Sequence, residues 1–478
     1  MKYAWFGEKR EAAVEQETAA LSPSRRDSLF FGALCLAEIS FAAILTALYL
    51  KGERTFEVFL SARPGLVFLG AVVGFLAGGI GILYRYREHK RSPSRHVPMV
   101  VAMNLVTVVL ILMTGEIVVR AAVRDYFQFE AVGGGGLVLK PKSWEETKAR
   151  YGKLLDQTQS APSLLVHDDV LGWTVGPNRR GGDGLYWSDS EGLRVPHEGA
   201  VIPRQTGQTT IAVVGDSYTF GDEVRYEDTY GHFLDQMLGS QFRVVNFGVP
   251  GYGLDQMLLR YQKDVRKWKP KIVVLGFISH DLERTLWVYP FLGNHEWDYP
   301  FSSPRFIVRG EELININPSP LPPEDIFAKG LISELPNIEY QQRYKESEWR
   351  ERFYHASYLG RLFTSLFSPW SVHPDHSEEA LISVNASILK AFVQSVQQDG
   401  ATPLVVFFPG RGELRKLGSR GKQVLERAGL AYVDPTPCLL DVDSTKLMLP
   451  GRHYSPQGNA AVAKCMQQAI NDIVTQTL

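Results

Sequence analysis

Cysteine is nearly absent, with three residues in a chain of 478. None of them has metal-ligand spacing, so a cysteine-held metal centre is excluded and no cofactor is expected. Cys35 lies in an apolar run, which leaves Cys438 and Cys465. Those two either pair in an oxidising compartment or remain inert buried thiols, and the sequence leaves both open. Charge excess is absent as well. Lys and Arg number 51 against 52 Asp and Glu, a net charge of −1, so nothing in the balance favours nucleic acid as a partner. The N-terminus does not read as a secretory signal peptide, because polar sequence precedes the first apolar run and no small-residue cleavage site follows it.

The chain has length instead, too much for one ordinary domain, and three apolar stretches in its first quarter. Gly65–Tyr84 carries no charge and as a helix covers roughly the 30 Å hydrocarbon core. Ser28–Leu50 is similar but contains Glu38, and Val97–Val119 contains Asn104 and Glu116. All three are expected to be transmembrane helices, with the bilayer as partner. Lys2, Lys9, Arg10, Arg25 and Arg26 precede the first stretch, and Arg85, Arg87, Lys90, Arg91 and Arg95 crowd the second loop. The first loop offsets its basic residues with Glu53 and Glu57. Positive charge marks the cytoplasmic side, so everything beyond about residue 125 is expected outside the cytoplasm, as in a multi-pass protein of a bacterial inner membrane. Glu116 is close enough to a helix end to reach the interface; Glu38 reads either as a helix-pairing group or as a tolerated polar residue.

Beyond the membrane region (1–125), Gly133–Gly136 is a flexible break and residues 142–160 read as a polar amphipathic helix. Short apolar pieces such as Leu171–Asn178, with glycine-rich turns, make a small β lead-in within a linker region, 126–205. From Thr209 the pattern alternates in βα fashion. Strands are expected at Ile211–Val214, Arg243–Phe247, Lys271–Phe277, Pro403–Phe408 and Ala431–Val433. Helices are expected near Tyr226–Leu238, Asp255–Trp268, Ser377–Gln398, Gly412–Ala428 and Pro456–Val474. Near-continuous Val/Ile/Leu strands between helices predict a five-stranded parallel sheet covered on both faces, a three-layer, flavodoxin-like α/β domain over 206–478. Residues 285–375 interrupt the alternation. They are proline-rich and aromatic (Trp287, Tyr289, Phe291, Trp297, Tyr299, Phe301) and read either as a sugar-binding platform or lid, or as a small satellite core.

Gly215-Asp216-Ser217 ends the first strand, putting a hydroxyl where open α/β sheets bind ligands. His453-Tyr-Ser-Pro-Gln-Gly458-Asn459 stands just ahead of the last helix. With Asn246-Phe-Gly-Val-Pro-Gly251 and Gly276-Phe-Ile-Ser-His280-Asp281, these are four ordered blocks across roughly 205–475. They resemble the GDSL or SGNH hydrolase family. The resemblance implies Ser217 as nucleophile, His453 as base, and the backbone N–H groups of Ser217 and Gly251 as oxyanion donors. Two positions depart from the family. His280 occupies the place of an oxyanion-hole asparagine, where an imidazole N–H can substitute. Pro450 and Gly451 occupy the place of the carboxylate that orients the base; Asp441 or Asp443 reaches in from the preceding loop, or a backbone carbonyl leaves a Ser–His dyad. His373-Pro-Asp375-His376 suggests metal by spacing, but helix capping by Asp375 or Ser377 is favoured and no metal is assigned.

The resulting expectation is a membrane-anchored serine esterase or O-acyltransferase acting on acyl esters, acetyl above all, of extracytoplasmic polysaccharide or cell-envelope glycan. A transferase would need a membrane partner to deliver the acyl donor, or act beside a polysaccharide-export protein. The alternative is a weak or inactive SGNH-fold glycan-binding or assembly protein.

Overall fold

The computed structural model describes residues 97–126, 129–132, 137–160, 163–204, 207–294, 297–366, 376–414 and 418–477. They fall into two compact units. One holds the chain up to Lys142 together with Glu348–Pro369; the other holds Ser143–Ser347 and Trp370–Leu478.

The first unit is built on helix α1 (Val97–Ala122) and a three-stranded antiparallel sheet, β1 (Val123–Tyr126), β2 (Phe129–Val132) and β3 (Leu137–Val138). α1 covers the third stretch expected to span a membrane. Its end is committed to protein contacts: Val119 is buried with Leu139 and Leu362. Glu116 accepts hydrogen bonds from Ser357 Oγ (2.8 Å) and from the N–H groups of Tyr358 (3.0 Å) and Leu359 (2.9 Å). It thereby caps helix α2 (Tyr358–Leu366), satisfying donors that a helix start leaves unpaired. Among the described residues no helix is long and apolar enough to cross a membrane, so the three expected spans are not found there. Ser28–Leu50 with Glu38, and Gly65–Tyr84, lie outside the described residues.

The second unit is the α/β domain. Its sheet has four parallel strands: β9 (Thr209–Gly215), β10 (Phe242–Asn246), β11 (Ile272–Phe277) and β12 (Thr402–Phe407), in the order β10-β9-β11-β12. Alternate side chains serve two cores. Ala212, Val214, Val273, Leu275, Val405 and Phe407 face one; Ile211, Val213, Ile272, Val274 and Val406 face the other. Both faces of the strand are apolar because both are covered. The expected fifth strand, Ala431–Val433, is reduced to a single parallel bridge between Val433 and Val406. Asp434 accepts from Thr436 N at 2.9 Å and Pro435 follows, which ends the extended run after one pair.

Helices α3 (Ser217–Phe220), α4 (Tyr230–Leu238), α5 (Leu254–Lys263), α6 (Ser279–Arg284), α7 (Glu378–Gln398), α8 (Arg420–Ala428) and α9 (Pro456–Thr477) complete the layers. Cys438 and Cys465 form a disulfide that ties the middle of α9 to the short helix Thr436–Leu440. The lead-in folds as two small antiparallel sheets: β4 (Leu165–Asp168) with β5 (Gly172–Val175), and β6 (Arg180–Gly181), β7 (Tyr186–Ser188) and β8 (Arg194–Val195). In the insertion, Trp287, Tyr289, Phe291 and Phe301 are buried as a satellite core, whereas Trp297 and Tyr299 remain half-buried.

Candidate active site

Ser217 stands two residues beyond the end of β9. The chain can turn there because Gly215 has no side chain: a Cβ at that position would lie 2.0 Å from Thr219 Oγ1 and 2.5 Å from Gly276 O. Asp216 caps α3, accepting from Tyr218 N at 2.9 Å. Ser217 takes the first helical position, where a backbone N–H has no intrahelical acceptor. Asp216 itself is fully buried and shares Arg284 with Asp281. That is a fold-stabilising placement for Asp216. Burial and the neighbouring Asp216 push the Asp281 carboxyl up, as two buried acids close together require.

His453 comes from the turn before α9. An antiparallel bridge pairs Met448 with Tyr454, and Leu449 N donates to His453 O at 2.8 Å. Asn459 Nδ2 holds Tyr454 O at 3.2 Å, and Tyr218 OH holds Arg452 O at 2.6 Å. The block around His453 is thus a clamp for one turn. That turn places Nε2 of His453 2.9 Å from Ser217 Oγ, although 236 positions separate the two residues.

The other ring nitrogen, Nδ1, is 2.8 Å from Glu223 Oε2. That carboxylate is neither Asp441 nor Asp443. Asp443 is exposed and accepts from Thr445 N and Oγ1, both at 2.9 Å; Asp441 is exposed where the short helix Thr436–Leu440 ends. Glu223 instead reaches across from the turn after α3. Its carboxylate also accepts from Gly451 N (2.8 Å) and His453 N (3.2 Å). Burial works to raise this carboxyl, but hydrogen bonds from the His453 ring and from the two backbone N–H groups outweigh it and hold the group below the usual carboxylate range. Gly451 now has a reason: a Cβ there would lie 2.5 Å from the Glu223 carboxyl. The glycine where the family places its acid leaves the space that Glu223 fills. Two signals for Glu223 existed in the sequence, a carboxylate six positions past Ser217 and a glycine beside the base, but neither pointed to the other.

Gly251 has φ +84°, and a Cβ there would meet the Tyr299 ring at 2.5 Å. Trp173 Nε1 holds the preceding carbonyl, Pro250 O, at 3.0 Å. His280 lies in the first turn of α6, edge-on to Trp287 (5.9 Å between centroids) and stacked toward Trp297 (6.5 Å). The ring remains exposed, yet loss of surrounding water to its neighbours, and then the Arg284 charge, push it down to about 4. At neutral pH His280 is therefore an uncharged imidazole able to donate one N–H. Arg284 is half-buried: it bonds Tyr252 O at 2.9 Å, pairs with Asp281, and lies 5.0 Å over the Trp297 ring. Of the metal-like cluster, His376 Nε2 is 2.8 Å from Tyr340 O; His373 and Asp375 lie outside the described residues. Among the described residues no group of side chains is arranged to hold a metal ion.

A hydroxyl on an imidazole, with that imidazole on a carboxylate, is a set of groups suited to nucleophilic acyl transfer. No family model matches the chain, and neither does any curated protein. Solved structures are similar to slightly more than half of it. A protein of the G-D-S-L lipolytic family from Desulfitobacterium hafniense shares 14% identity at a TM-score of 0.28, covering 55% of this chain and 99% of that one. A lipase/acylhydrolase from Enterococcus faecalis shares 13% at 0.29, covering 55% and 95%. An acetylxylan esterase from Geobacillus stearothermophilus shares 13% at 0.30, covering 56% and 96%. Similarity at this distance transfers no substrate, and the functional reading rests on the geometry of Ser217, His453 and Glu223.

Proposed function

We propose that this chain is a serine esterase or O-acyltransferase of the SGNH type, anchored to a membrane and acting on acyl esters of extracytoplasmic polysaccharide or cell-envelope glycan, acetyl esters first. The observation that carries the reading is the unbroken chain of hydrogen bonds from Ser217 Oγ through both nitrogens of His453 to Glu223. It favours an active enzyme over a silent glycan-binding protein, which has no need of an oriented base.

In the proposed reaction Ser217 Oγ attacks the ester carbonyl while His453 Nε2 takes its proton. Glu223 stabilises the imidazolium and fixes the tautomer. The N–H groups of Ser217 and Gly251 and the neutral His280 ring stabilise the oxyanion. The imidazolium then protonates the sugar oxygen as its bond to the acyl carbon breaks, releasing the sugar hydroxyl and leaving an acyl-serine. Water, or an acceptor hydroxyl in the transferase case, enters with the same base and restores Ser217.

Membrane anchoring is supported by the three apolar stretches and by the exposed Val106, Val109, Leu110, Leu112, Met113 and Ile117 of α1. The basic flanks support an extracytoplasmic domain, and the Cys438–Cys465 disulfide fits an oxidising compartment. Trp297 and Tyr299, half-buried beside His280 and Gly251, suit a sugar ring. A transferase would draw its acyl group from a membrane partner.

Turnover of p-nitrophenyl acetate and labelling by a fluorophosphonate, measured on the full-length protein, test the reading. Wild type is expected to do both, and Ser217→Ala neither. Absence of serine-dependent turnover together with absence of labelling would defeat it. An acetylated product formed only when an acceptor sugar is supplied would separate transferase from esterase.

A further inference from the structure

Glu223 is a non-glycine residue in the left-handed region, at φ +65°, a conformation that side chains rarely adopt and that its surroundings must enforce. It does not belong to the sheet or to a long helix. What holds it comes from the lead-in, before the α/β core begins. Arg194, at the start of β8, is almost wholly buried. Its Nη1 donates to the carbonyls of Phe220 and Gly221, and its Nη2 to the carbonyl of Val224. The guanidinium thus grips the backbone on both sides of Glu223. It also lies between two rings, 4.6 Å from Phe220 and 4.8 Å from Tyr186. Tyr186, in β7, adds the remaining contacts: its hydroxyl accepts from Glu223 N at 2.8 Å and donates to Asp222 Oδ1. Burying a guanidinium among carbonyls is costly in water-free surroundings, and a fork of fixed donors is the group that can span three carbonyls at once.

From this arrangement we infer that Arg194 and Tyr186 are positioning residues for the reaction, and that the β6–β8 sheet is the part of the active site that presents Glu223 to His453. The inference rests on the serine-esterase reading. The sheet's own register supports it: Ser188 pairs with Arg194 across β7–β8. Asp189 Oδ1 accepts from Glu191 N and Leu193 N in the connecting turn. Arg194 therefore starts from a fixed point, as a positioning group must.

The test is a double-mutant cycle on the full-length protein. Tyr186→Phe removes one oxygen and leaves the ring that packs on Arg194. It should lower kcat by about 10- to 100-fold with KM unchanged and leave the melting temperature near wild type. The acid limb of the kcat/KM profile should move to lower pH, because a displaced carboxylate stabilises the imidazolium less. In a Glu223→Gln background the same Tyr186→Phe change should cost nothing further, since what it positions is already lost. Arg194→Lys should behave like Tyr186→Phe in both backgrounds if it folds, and the tyrosine variant decides the matter if it does not. Equal fractional losses in both backgrounds, or a Tyr186→Phe enzyme with unaltered kcat and pH limb, would overturn the assignment. A wild type that fluorophosphonate does not label would instead remove the esterase reading beneath it.

Discussion

Ser217 and Glu223 are six positions apart in the chain and meet on the two nitrogens of one imidazole, yet they are held by different means. Ser217 is placed by its immediate neighbours: strand β9 delivers it, Gly215 allows the turn, and Asp216 caps the helix it opens. Glu223 is placed by residues about 30 to 40 positions upstream, whose side chains grip the backbone around it. A nucleophile encoded by its own strand-turn-helix can be recognised from a short motif. An acid encoded by a separate sheet cannot.

The largest expected effect follows from removing the acid. Glu223→Gln should lower kcat by about 10³- to 10⁴-fold with little change in KM, because the imidazole loses both its tautomer and its stabilised charge. Steady-state kinetics on an acetyl ester check this. Gly451→Asp placed in a Glu223→Ala background puts a carboxylate back into the vacated space and should recover part of the loss. In the wild type the same change meets the Glu223 carboxyl and should impair turnover.

Next comes the oxyanion side. His280→Ala should cost about 10²- to 10³-fold in kcat, while His280→Asn, which keeps one N–H donor, should preserve most activity. Loss of surrounding water to its neighbours, and then the Arg284 charge, hold the exposed His280 down to about 4, so its protonation contributes no change in activity above that pH. A group whose folded value lies below its ordinary one favours the fold at higher pH. Stability from a neutral His280 should therefore fall only as the pH drops from about 6.5 toward 4, and thermal melts of wild type against His280→Asn across that range would show the difference. The smallest effect is expected at Asp441 and Asp443: alanine at either should leave kcat near wild type, because neither carboxylate touches the base.

The sheet was legible because each of its strands is apolar on both faces, and the two cores account for both. Ala431–Val433 has the residue types of a full strand, but Asp434 and Pro435 end it after one bridge. The meeting of Ser217 with His453 could be read from ordered blocks, and the two side chains lie 2.9 Å apart. The acid could not. Its position depends on a left-handed glutamate, on a guanidinium from another sheet and on a glycine that clears the space, three features with no common motif. The carboxylate in contact with His453 is 230 positions away in the chain, beyond any motif around the base. Glu116 shows the same limit in a milder form: a residue read as reaching a membrane interface caps a helix more than 200 positions downstream.

The most direct measurement is the rate at which a fluorophosphonate labels Ser217 in the full-length protein, compared among wild type, Glu223→Gln and Asp443→Asn. Fast labelling of wild type and Asp443→Asn, with labelling of Glu223→Gln slower by on the order of 10³-fold, is the predicted result. Equal rates for wild type and Glu223→Gln, or slow labelling of Asp443→Asn, would contradict a Ser217–His453–Glu223 site.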